Sequence, residues 1–411
     1  MKLFASCMFA ALLGVVAQAS APVSAESVSA TAASSLKAPA QPMLVEKKSF
    51  TTTEFRTVSG KVLPSVTVGW ESYGSLNAAK DNVILITHFF SGNSHAAGKY
   101  AESDPQSGYW DAIIGPGKAI DTNRFFVVSA DTLVNANVHD GHTITTGPAS
   151  INPETGKPWG LDFPVVTIHD FVEVQRLLLE SLGIEKLHAV MGASMGSFQA
   201  LDWAVSYPDR VERLIHVIGA DSMDAWSVPA LEKWALPIRL DPNWRGGDYY
   251  GKTPPVAGLT AALLNITQDA MAPEAYLASF KDFTVADKGA LADIRTLPQI
   301  SQILQQRAGA RAALQDANHV LYLVRASQLF SADWQGGELK LALAKIKAKS
   351  LLLPASGDLL LRPQRVRQMA ATLKELGKEV EISEIKGPWG HLDGLFSIQS
   401  KSDEIRAFLA D

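Results

Sequence analysis

A serine between two glycines is the residue of this 411-residue chain best suited to covalent chemistry. Residues 192–196 have the pattern G-x-S-x-G around Ser194, between an apolar run at 187–191 and a helical pattern. On such a strand–turn–helix the hydroxyl projects from the sheet, and the helix N-terminus brings backbone N–H groups close to a developing oxyanion. We therefore predict a nucleophile elbow. The alternative is a glycine-rich turn with an incidental serine.

A serine nucleophile needs a base and an acid that orients the base. His391 lies on a loop after a predicted strand, whereas His319 lies in a helical pattern, where a packing role is favoured. Asp358 follows another predicted strand, and Asp393 is its nearest competitor. The order serine, acid, histidine is that of α/β-hydrolase triads. We predict Ser194 as the nucleophile, His391 as the general base and Asp358 as the orienting acid.

Two backbone amides are predicted to form the oxyanion hole. One belongs to Met195, which follows the nucleophile. The other lies in the loop after the third strand of such a fold, where we choose Phe90 and keep Phe89 as the alternative. In the same loop, His88 and His95 are expected to shape the floor of the pocket rather than to bind a metal.

Other short motifs predict no cofactor site. His139 and His142 are close in sequence, but two histidines without a third ligand are a weak metal signal. Residues 115–118 lack the spacing and the Ser/Thr of a P-loop. A net charge of −5 does not indicate nucleic-acid binding, which relies on an excess of positive charge. We predict no cofactor, no metal and no nucleic-acid partner, and a small-molecule acyl ester as the substrate.

Short apolar runs alternate with amphipathic stretches along most of the chain, which predicts an α/β fold with a mostly parallel sheet flanked by helices. Several runs are apolar throughout, as in strands covered on both faces. The predicted strands are 66–70, 83–87, 125–129, 187–191, 214–218, 350–354 and 380–385. The predicted helices outside the lid are 166–182, 197–206, 363–376 and 398–409.

One gap interrupts this alternation. About 130 residues separate the strand that ends near Gly219 from the strand that starts at Ser350, far more than a crossover needs. We predict that residues 222–348 form a helical lid over the C-terminal strand ends, where ligands bind. Residues 50–221 and 349–411 then form the core. Helical patterns within the lid are 256–268, 274–283, 297–307 and 311–330.

The N-terminal segment has the pattern of an export signal. Residues 1–25 have a basic start, an apolar stretch at 3–17 and a small-x-small cleavage site at 23–25, with 17–19 as a second candidate site. An uncleaved anchor is the alternative. Residues 26–49 begin with a run rich in Ala, Ser, Thr and Pro and are predicted to be a flexible leader. The one cysteine, Cys7, lies in the signal, and no later stretch could span a bilayer. We predict a periplasmic or secreted protein without stable membrane insertion.

Longer motifs also match a known family. They read WD at 110–111, IGPGKAIDTNRFF at 114–126, GPASINP at 147–153, LDFP at 161–164, GASMG at 192–196 and DPNWRGGDY at 241–249. Together they resemble the homoserine O-acetyltransferase family of α/β-hydrolase-fold proteins, from about Phe50 to the C-terminus. The resemblance implies a triad at Ser194, Asp358 and His391, an inserted helical lid, and a homodimer formed through the lid.

Three departures from the family pattern bear on the reaction. The acetyltransferases hold the homoserine carboxylate with a lid arginine whose register falls on Ala235 here, while Lys233 and Arg239 are near but out of register. The family's glycine-rich segment is replaced by residues 135–140. Export would also separate the protein from acetyl-CoA.

From these departures we predict an exported serine ester hydrolase, in which water resolves the acyl-enzyme. A homoserine-type O-acyltransferase that uses acetyl-CoA is the alternative. A binding protein without activity is the third hypothesis, and the complete Ser–Asp–His set argues against it.

Overall fold

The computed structural model describes residues 43–281 and 288–410. The predicted signal, most of the predicted leader and Cys7 lie outside these residues. The end of the leader differs from the prediction, because the first strand already starts at Lys48. Just before it, the Val45 amide donates to the Lys99 carbonyl, and the Lys99 amide donates to the Met43 carbonyl. Residues 43–49 are therefore paired with the core.

A mostly parallel sheet lies at the centre of the molecule. The strands of the described residues are β1 (Lys48–Arg56), β2 (Val62–Tyr73), β3 (Val83–Thr87), β4 (Ile114–Gly115), β5 (Ile120–Asp121), β6 (Phe126–Ala130), β7 (Ala189–Ala193), β8 (Arg213–Val217), β9 (Lys349–Leu353) and β10 (Val380–Ile382). Eight of them form one sheet in the order β1-β2-β6-β3-β7-β8-β9-β10. The pairs β1–β2 and β2–β6 are antiparallel, and the remaining pairs of this sheet are parallel.

Helices surround this sheet. The helices of the described residues are α1 (Ile168–Ser181), α2 (Met195–Ser206), α3 (Ser227–Leu240), α4 (Val256–Ala270), α5 (Pro273–Ser279), α6 (Lys288–Ala292), α7 (Gln299–Ala312), α8 (Ala317–Gln328), α9 (Leu339–Ala344), α10 (Pro363–Glu375), α11 (Asp393–Phe396) and α12 (Ser402–Ala410). Short 3-10 helices lie at Gly160–Asp162, Pro242–Gly247 and Ile398–Lys401. Helices α3 to α9 lie between β8 and β9, in the range predicted as the lid. Among the described residues, no helix is long and apolar enough to cross a membrane.

Alternate side chains of β3 show that both faces of the sheet are covered. Val83 and Leu85 belong to one hydrophobic cluster, which also contains side chains of α1, α2 and the lid. Ile84 and Ile86 belong to a second cluster on the opposite face. All four side chains are fully buried, so the apolar run is explained by a strand with helices or loops on either side. The predicted α/β-hydrolase fold is confirmed.

The prediction missed the strands β1, β4 and β5 and the helices α3, α6, α9 and α11, and it misplaced the boundary between α7 and α8. Strand β1 is rich in threonine and mostly solvent-facing, so it lacks the apolar run of the central strands. Helix α3 contains Pro229 and Pro237, and proline within a segment predicts an interrupted helix. In the lid, the break between α7 and α8 falls at Asp316 rather than near Gly309, because the Asp316 carboxylate caps α8 by accepting the His319 amide hydrogen.

His216, on β8, is a buried histidine behind the nucleophile elbow. Its Nε2 donates to the Ala220 carbonyl at 3.3 Å, and its Nδ1 has no hydrogen-bond partner among the described residues. Burial lowers the pKa of His216 to about 4, because the charged imidazolium would lose its hydration. At neutral pH the side chain is therefore neutral in the folded protein.

This buried histidine predicts a loss of stability in mild acid. As the pH falls below about 6.5, the unfolded chain protonates His216, but the folded chain does so only near pH 4. The free energy of unfolding should therefore fall across this window by about 1 kcal/mol per pH unit from this residue. Urea unfolding of the wild type and His216→Gln between pH 7 and pH 4 measures the difference. The exposed His142 gives the control His142→Gln, which should keep the wild-type slope. Parallel curves for the wild type and His216→Gln would contradict this account.

Candidate active site

Ser194 lies at a strained turn between β7 and α2. Its backbone has φ +56° and ψ −123°, in a region that a residue with a Cβ adopts rarely. The Ser194 amide donates to the Val217 carbonyl of the neighbouring strand β8 at 3.0 Å, and its carbonyl accepts from the Ser197 hydroxyl at 2.6 Å. These contacts hold the turn so that the side chain projects from the carboxyl end of the sheet. The predicted strand–turn–helix is thus present.

The two motif glycines are required by close backbone approach. A Cβ on Gly192 would lie 2.2 Å from the Gly196 carbonyl oxygen and from the Thr87 hydroxyl. A Cβ on Gly196 would lie 2.1 Å from the Thr87 carbonyl oxygen. The Thr87 hydroxyl also donates to the Gly196 carbonyl at 2.7 Å, which ties the elbow to β3. The spacing G-x-S-x-G therefore has a steric cause.

The structure brings the three predicted catalytic side chains together. The Ser194 Oγ lies 2.8 Å from His391 Nε2, and His391 Nδ1 lies 2.7 Å from Asp358 Oδ2. Both His391 and Asp358 are buried. The other carboxylate oxygen of Asp358 accepts the amide hydrogens of Leu360 and Leu361 at 2.9 Å each. A carboxylate on Nδ1 selects the tautomer in which Nε2 can accept the serine proton.

The other candidates for the acid and the histidine have different hydrogen-bond partners. Asp393 accepts the Ser397 hydroxyl at 2.5 Å, and burial raises the pKa of its carboxyl group. His319 is buried in α8, where its Nδ1 donates to the Asn135 carbonyl at 2.8 Å. His216, which also follows Ser194 in the chain, was not weighed in the sequence argument. Its hydrogen bond is to Ala220. Among these acids and histidines, the contacts with Ser194 belong to His391 alone.

Of the residues predicted for the oxyanion hole, Phe90 and its alternative Phe89 line a cavity that also contains Ser194, and Met195 follows Ser194 in the chain. Met195 is the first residue of α2, so its N–H has no partner within the helix. Phe89, Phe90 and Ser194 all line the cavity. Neither the Met195 nor the Phe90 amide donates a hydrogen bond within the described parts of the chain. The choice between Phe90 and Phe89 stays a prediction.

A buried charge network anchors the loop after β3, residues 88–95. The Lys47 ammonium lies 3.1 Å from the Glu71 carboxylate and 3.3 Å from that of Asp131, whose other oxygen accepts the Ser94 amide hydrogen at 2.7 Å. Burial by itself would raise the pKa of Glu71, but a hydrogen bond from His95 and the charge of Lys47 outweigh it and hold this pKa at about 2. His95 therefore anchors the loop through Glu71 instead of lining the pocket floor.

The segment that departs from the family pattern supports the same loop. The Asn135 side-chain amide donates to the Gly92 carbonyl at 3.0 Å, and that of Asn137 donates to the Ser91 carbonyl at 3.1 Å. From the lid, Gln315 donates to the Asn137 side chain at 2.9 Å. Sequence analysis missed this role, because asparagine side chains in a loop carry no signal of their distant partners. Here they hold the backbone that carries Phe89 and Phe90.

His88 has a structural role in the loop after β3. His88 is buried, and burial lowers its pKa. Its Nδ1 donates to the Phe89 carbonyl at 2.8 Å, while its Nε2 accepts the Thr132 amide hydrogen at 3.1 Å. Near His142, the Asp140 carboxylate caps a turn by accepting the His142 amide hydrogen at 2.8 Å. Within residues 43–281 and 288–410, no three His, Cys, Asp or Glu side chains are grouped as a metal site.

Ser194 and His391 open into a mostly apolar cavity under the lid. Its described lining contains one permanent cation, Arg311, and no carboxylate. The lining residues are Phe89, Phe90, Ser91, Ser194, Ile218, Trp234, Ile266, Thr267, Ala270, Met271, Arg311, Leu360, His391, Leu392, Leu395 and Phe396. The indole of Trp234 meets Phe90 edge to face and donates to Asp269 at 2.7 Å, which fixes α3 against α4.

Comparison with known proteins gives four matches. A family model described as alpha/beta hydrolase fold matches residues 139–396. The chain is 38% identical over 369 residues to the homoserine O-acetyltransferase of Geotalea daltonii, across 89% of this chain and 98% of the relative. Its structure is similar to the crystal structure of homoserine O-acetyltransferase from Bacillus anthracis (TM-score 0.86, 37% identity, 90% and 98% covered). It is also similar to the crystal structure of an esterase (TM-score 0.87, 54% identity, 89% and 100% covered).

These relatives correct the function predicted from sequence. Curated proteins that are 36–38% identical over 87–89% of the chain are named homoserine O-acetyltransferase, so the prediction of an exported ester hydrolase was wrong. The alternative, a homoserine-type O-acyltransferase, fits better. The sequence argument against acyl transfer was that Ala235 replaces the family's carboxylate-binding arginine, and it considered only the nearby cations of α3. The fold brings another cation, Arg311 of α7, to the cavity wall. Export and a homodimer formed through the lid stay predictions.

Proposed function

The chain belongs to the homoserine O-acetyltransferase family of the α/β-hydrolase fold, and from this membership we propose that it transfers an acetyl group from acetyl-CoA to the hydroxyl of homoserine or a related hydroxy acid. The observation that carries the proposal is the match to 98% of the length of an acetyltransferase. The geometry of Ser194, His391 and Asp358 supports it, since these side chains are already within hydrogen-bond distance of one another.

In the first half-reaction, the serine becomes acetylated. Ser194 Oγ attacks the thioester carbonyl carbon while its proton passes to His391 Nε2. The amides of Met195 and Phe90 stabilise the negative charge on the carbonyl oxygen. The C–S bond then breaks, and His391 returns the proton to the departing sulfur. Asp358 keeps the imidazole oriented and stabilises its positive charge.

In the second half-reaction, the acceptor takes the acetyl group. The acceptor hydroxyl attacks the acyl-enzyme carbonyl while His391 Nε2 accepts the hydroxyl proton. The bond between Ser194 Oγ and the acyl carbon breaks, and the proton passes from His391 to Oγ. Water could attack the same intermediate. Most of the cavity lining is apolar, which disfavours attack by water.

The decisive measurement is the fate of the acetyl group. We expect the purified protein to convert acetyl-CoA and homoserine to CoA and O-acetylhomoserine, with CoA release that rises as homoserine is added. Mass spectrometry of the products and a thiol assay measure the two quantities.

Ser194→Ala is the control for non-enzymatic acetylation, and it should give neither product above background. Free acetate as the main product, at a rate independent of homoserine, would contradict the proposal. It would show that water resolves the acyl-enzyme.

A further inference from the structure

The one permanent cation on the described cavity wall has no anionic partner. Arg311 lies in the last turn of α7, and its Nη1 donates to the Thr267 hydroxyl at 3.1 Å. This hydroxyl in turn donates to the Leu263 carbonyl at 2.8 Å. Arg311 forms no ion pair within the described residues, although its side chain lines the same cavity as Ser194 and His391.

Arg311 is partly buried, and its guanidinium donates one hydrogen bond within the described residues. Arginine carries five N–H donors, and removing a charge from water is unfavourable unless another group replaces the lost hydration. Burial lowers the pKa of Arg311 to about 10, so the side chain is still charged at neutral pH. Most of the residues that line the catalytic cavity with Arg311 are apolar, and Arg311 also lines the adjoining cavity that contains Arg307. An anionic group of a ligand would supply the missing partner.

The two cations close in sequence to Ala235, the position of the family's arginine, each form an ion pair outside the cavity. Lys233 lies 2.5 Å from Asp269 and is half exposed, and Arg239 is paired with Glu232. Neither lines the cavity. Ala235 is fully buried on α3. Within the described residues, a carboxylate in this cavity can therefore meet a permanent cation only at Arg311.

We propose that Arg311 binds the carboxylate of the acyl acceptor, and that acceptors are selected as hydroxy carboxylates without a requirement for an amino group. The first part follows from a guanidinium that lines the same cavity as the nucleophile and forms no ion pair within the described residues. The second follows from the absence of a carboxylate on the described lining, since an ammonium group there would lose its hydration without gaining an anionic partner. The inference rests on the proposed acyl transfer and specifies its acceptor.

Three acceptors vary the two charges separately. Homoserine has both groups, 4-hydroxybutyrate has only the carboxylate, and 2-aminobutane-1,4-diol has only the amine. With acetyl-CoA as donor, we expect kcat/KM for 4-hydroxybutyrate to equal or exceed that for homoserine. The diol should be poorer by on the order of 10- to 100-fold, because it lacks the charge-assisted bond.

Variants of two arginines on one helix assign the effect. Arg311→Gln should lower kcat/KM for 4-hydroxybutyrate to the value for the diol. Arg311→Lys should restore part of the preference for 4-hydroxybutyrate over the diol, since lysine keeps the charge but lacks the planar guanidinium. Arg307 lies one turn earlier on α7 and lines an adjoining cavity, but not the one that holds Ser194. Arg307→Gln should keep the wild-type ratio of kcat/KM for 4-hydroxybutyrate to kcat/KM for the diol. Thermal melting shows whether each variant is folded.

A binding assay separates failure of this inference from failure of the proposed function. Butyrate and butyramide are unreactive probes, and calorimetry should show butyrate binding to the wild type that is lost in Arg311→Gln. If no acceptor is acetylated but this pattern holds, acyl transfer is overturned and the carboxylate site stands. If acceptors are used but Arg311→Gln keeps the preference for carboxylates, the site is overturned and acyl transfer stands. A clear preference for homoserine over 4-hydroxybutyrate would overturn the second part.

Discussion

Replacing Ser194 with alanine is expected to lower kcat by on the order of 10⁴-fold or more, because only substrate binding and the oxyanion amides then remain to stabilise the transition state. The Ser194 hydroxyl lies 2.8 Å from His391 Nε2, its predicted base. Initial rates of CoA release, with saturating donor, measure the loss.

A covalent label tests the same assignment independently of turnover. A fluorophosphonate should modify one serine of the wild type, and peptide mass spectrometry should locate it at Ser194. Ser91 is the matched control, since it is the other serine on the described cavity wall. Ser91→Ala should still be labelled, whereas Ser194→Ala should not. Labelling at Ser91 in the wild type would show that the nucleophile has been assigned wrongly.

Asp358→Asn is expected to lower kcat by on the order of 10³- to 10⁴-fold while the protein stays folded. The side-chain amide of asparagine can donate to His391 Nδ1, which favours the tautomer with the proton on Nε2. That tautomer cannot accept the proton of Ser194. The present Asp358–His391 contact of 2.7 Å selects the opposite and productive tautomer. Steady-state kinetics and far-ultraviolet circular dichroism separate the catalytic loss from misfolding.

Asp393→Asn is the matched control for the second carboxylate near the catalytic histidine. Asp393 accepts the Ser397 hydroxyl at the start of α11 and does not contact the imidazole. We therefore expect its substitution to change the melting temperature more than kcat. If Asp393→Asn abolished turnover and Asp358→Asn were mild, the acid of the triad would be Asp393.

The nucleophile elbow could be predicted from the sequence because its causes are local. Gly192 and Gly196 are needed within one turn, and the apolar strand before them and the helix after them are visible in the same short segment. The central strands were predicted for the same reason, since a strand that is covered on both faces is apolar throughout. The threonine-rich β1 and the proline-containing α3 carry no such local pattern, so the sequence argument missed both.

The tertiary structure decided three features: which aspartate belongs to the triad, which residues support the loop after β3, and which cation lines the cavity. Asp358 and Asp393 both follow predicted strands, and the geometry at His391 separates them. Arg311 lies 117 residues beyond Ser194 in the chain, on a helix whose own sequence does not indicate which face meets the core. The physical reason is that a side chain's role here depends on which distant elements pack around it. Sequence spacing specifies turns and strands, whereas the partners of a buried charge depend on the packing of the lid on the sheet.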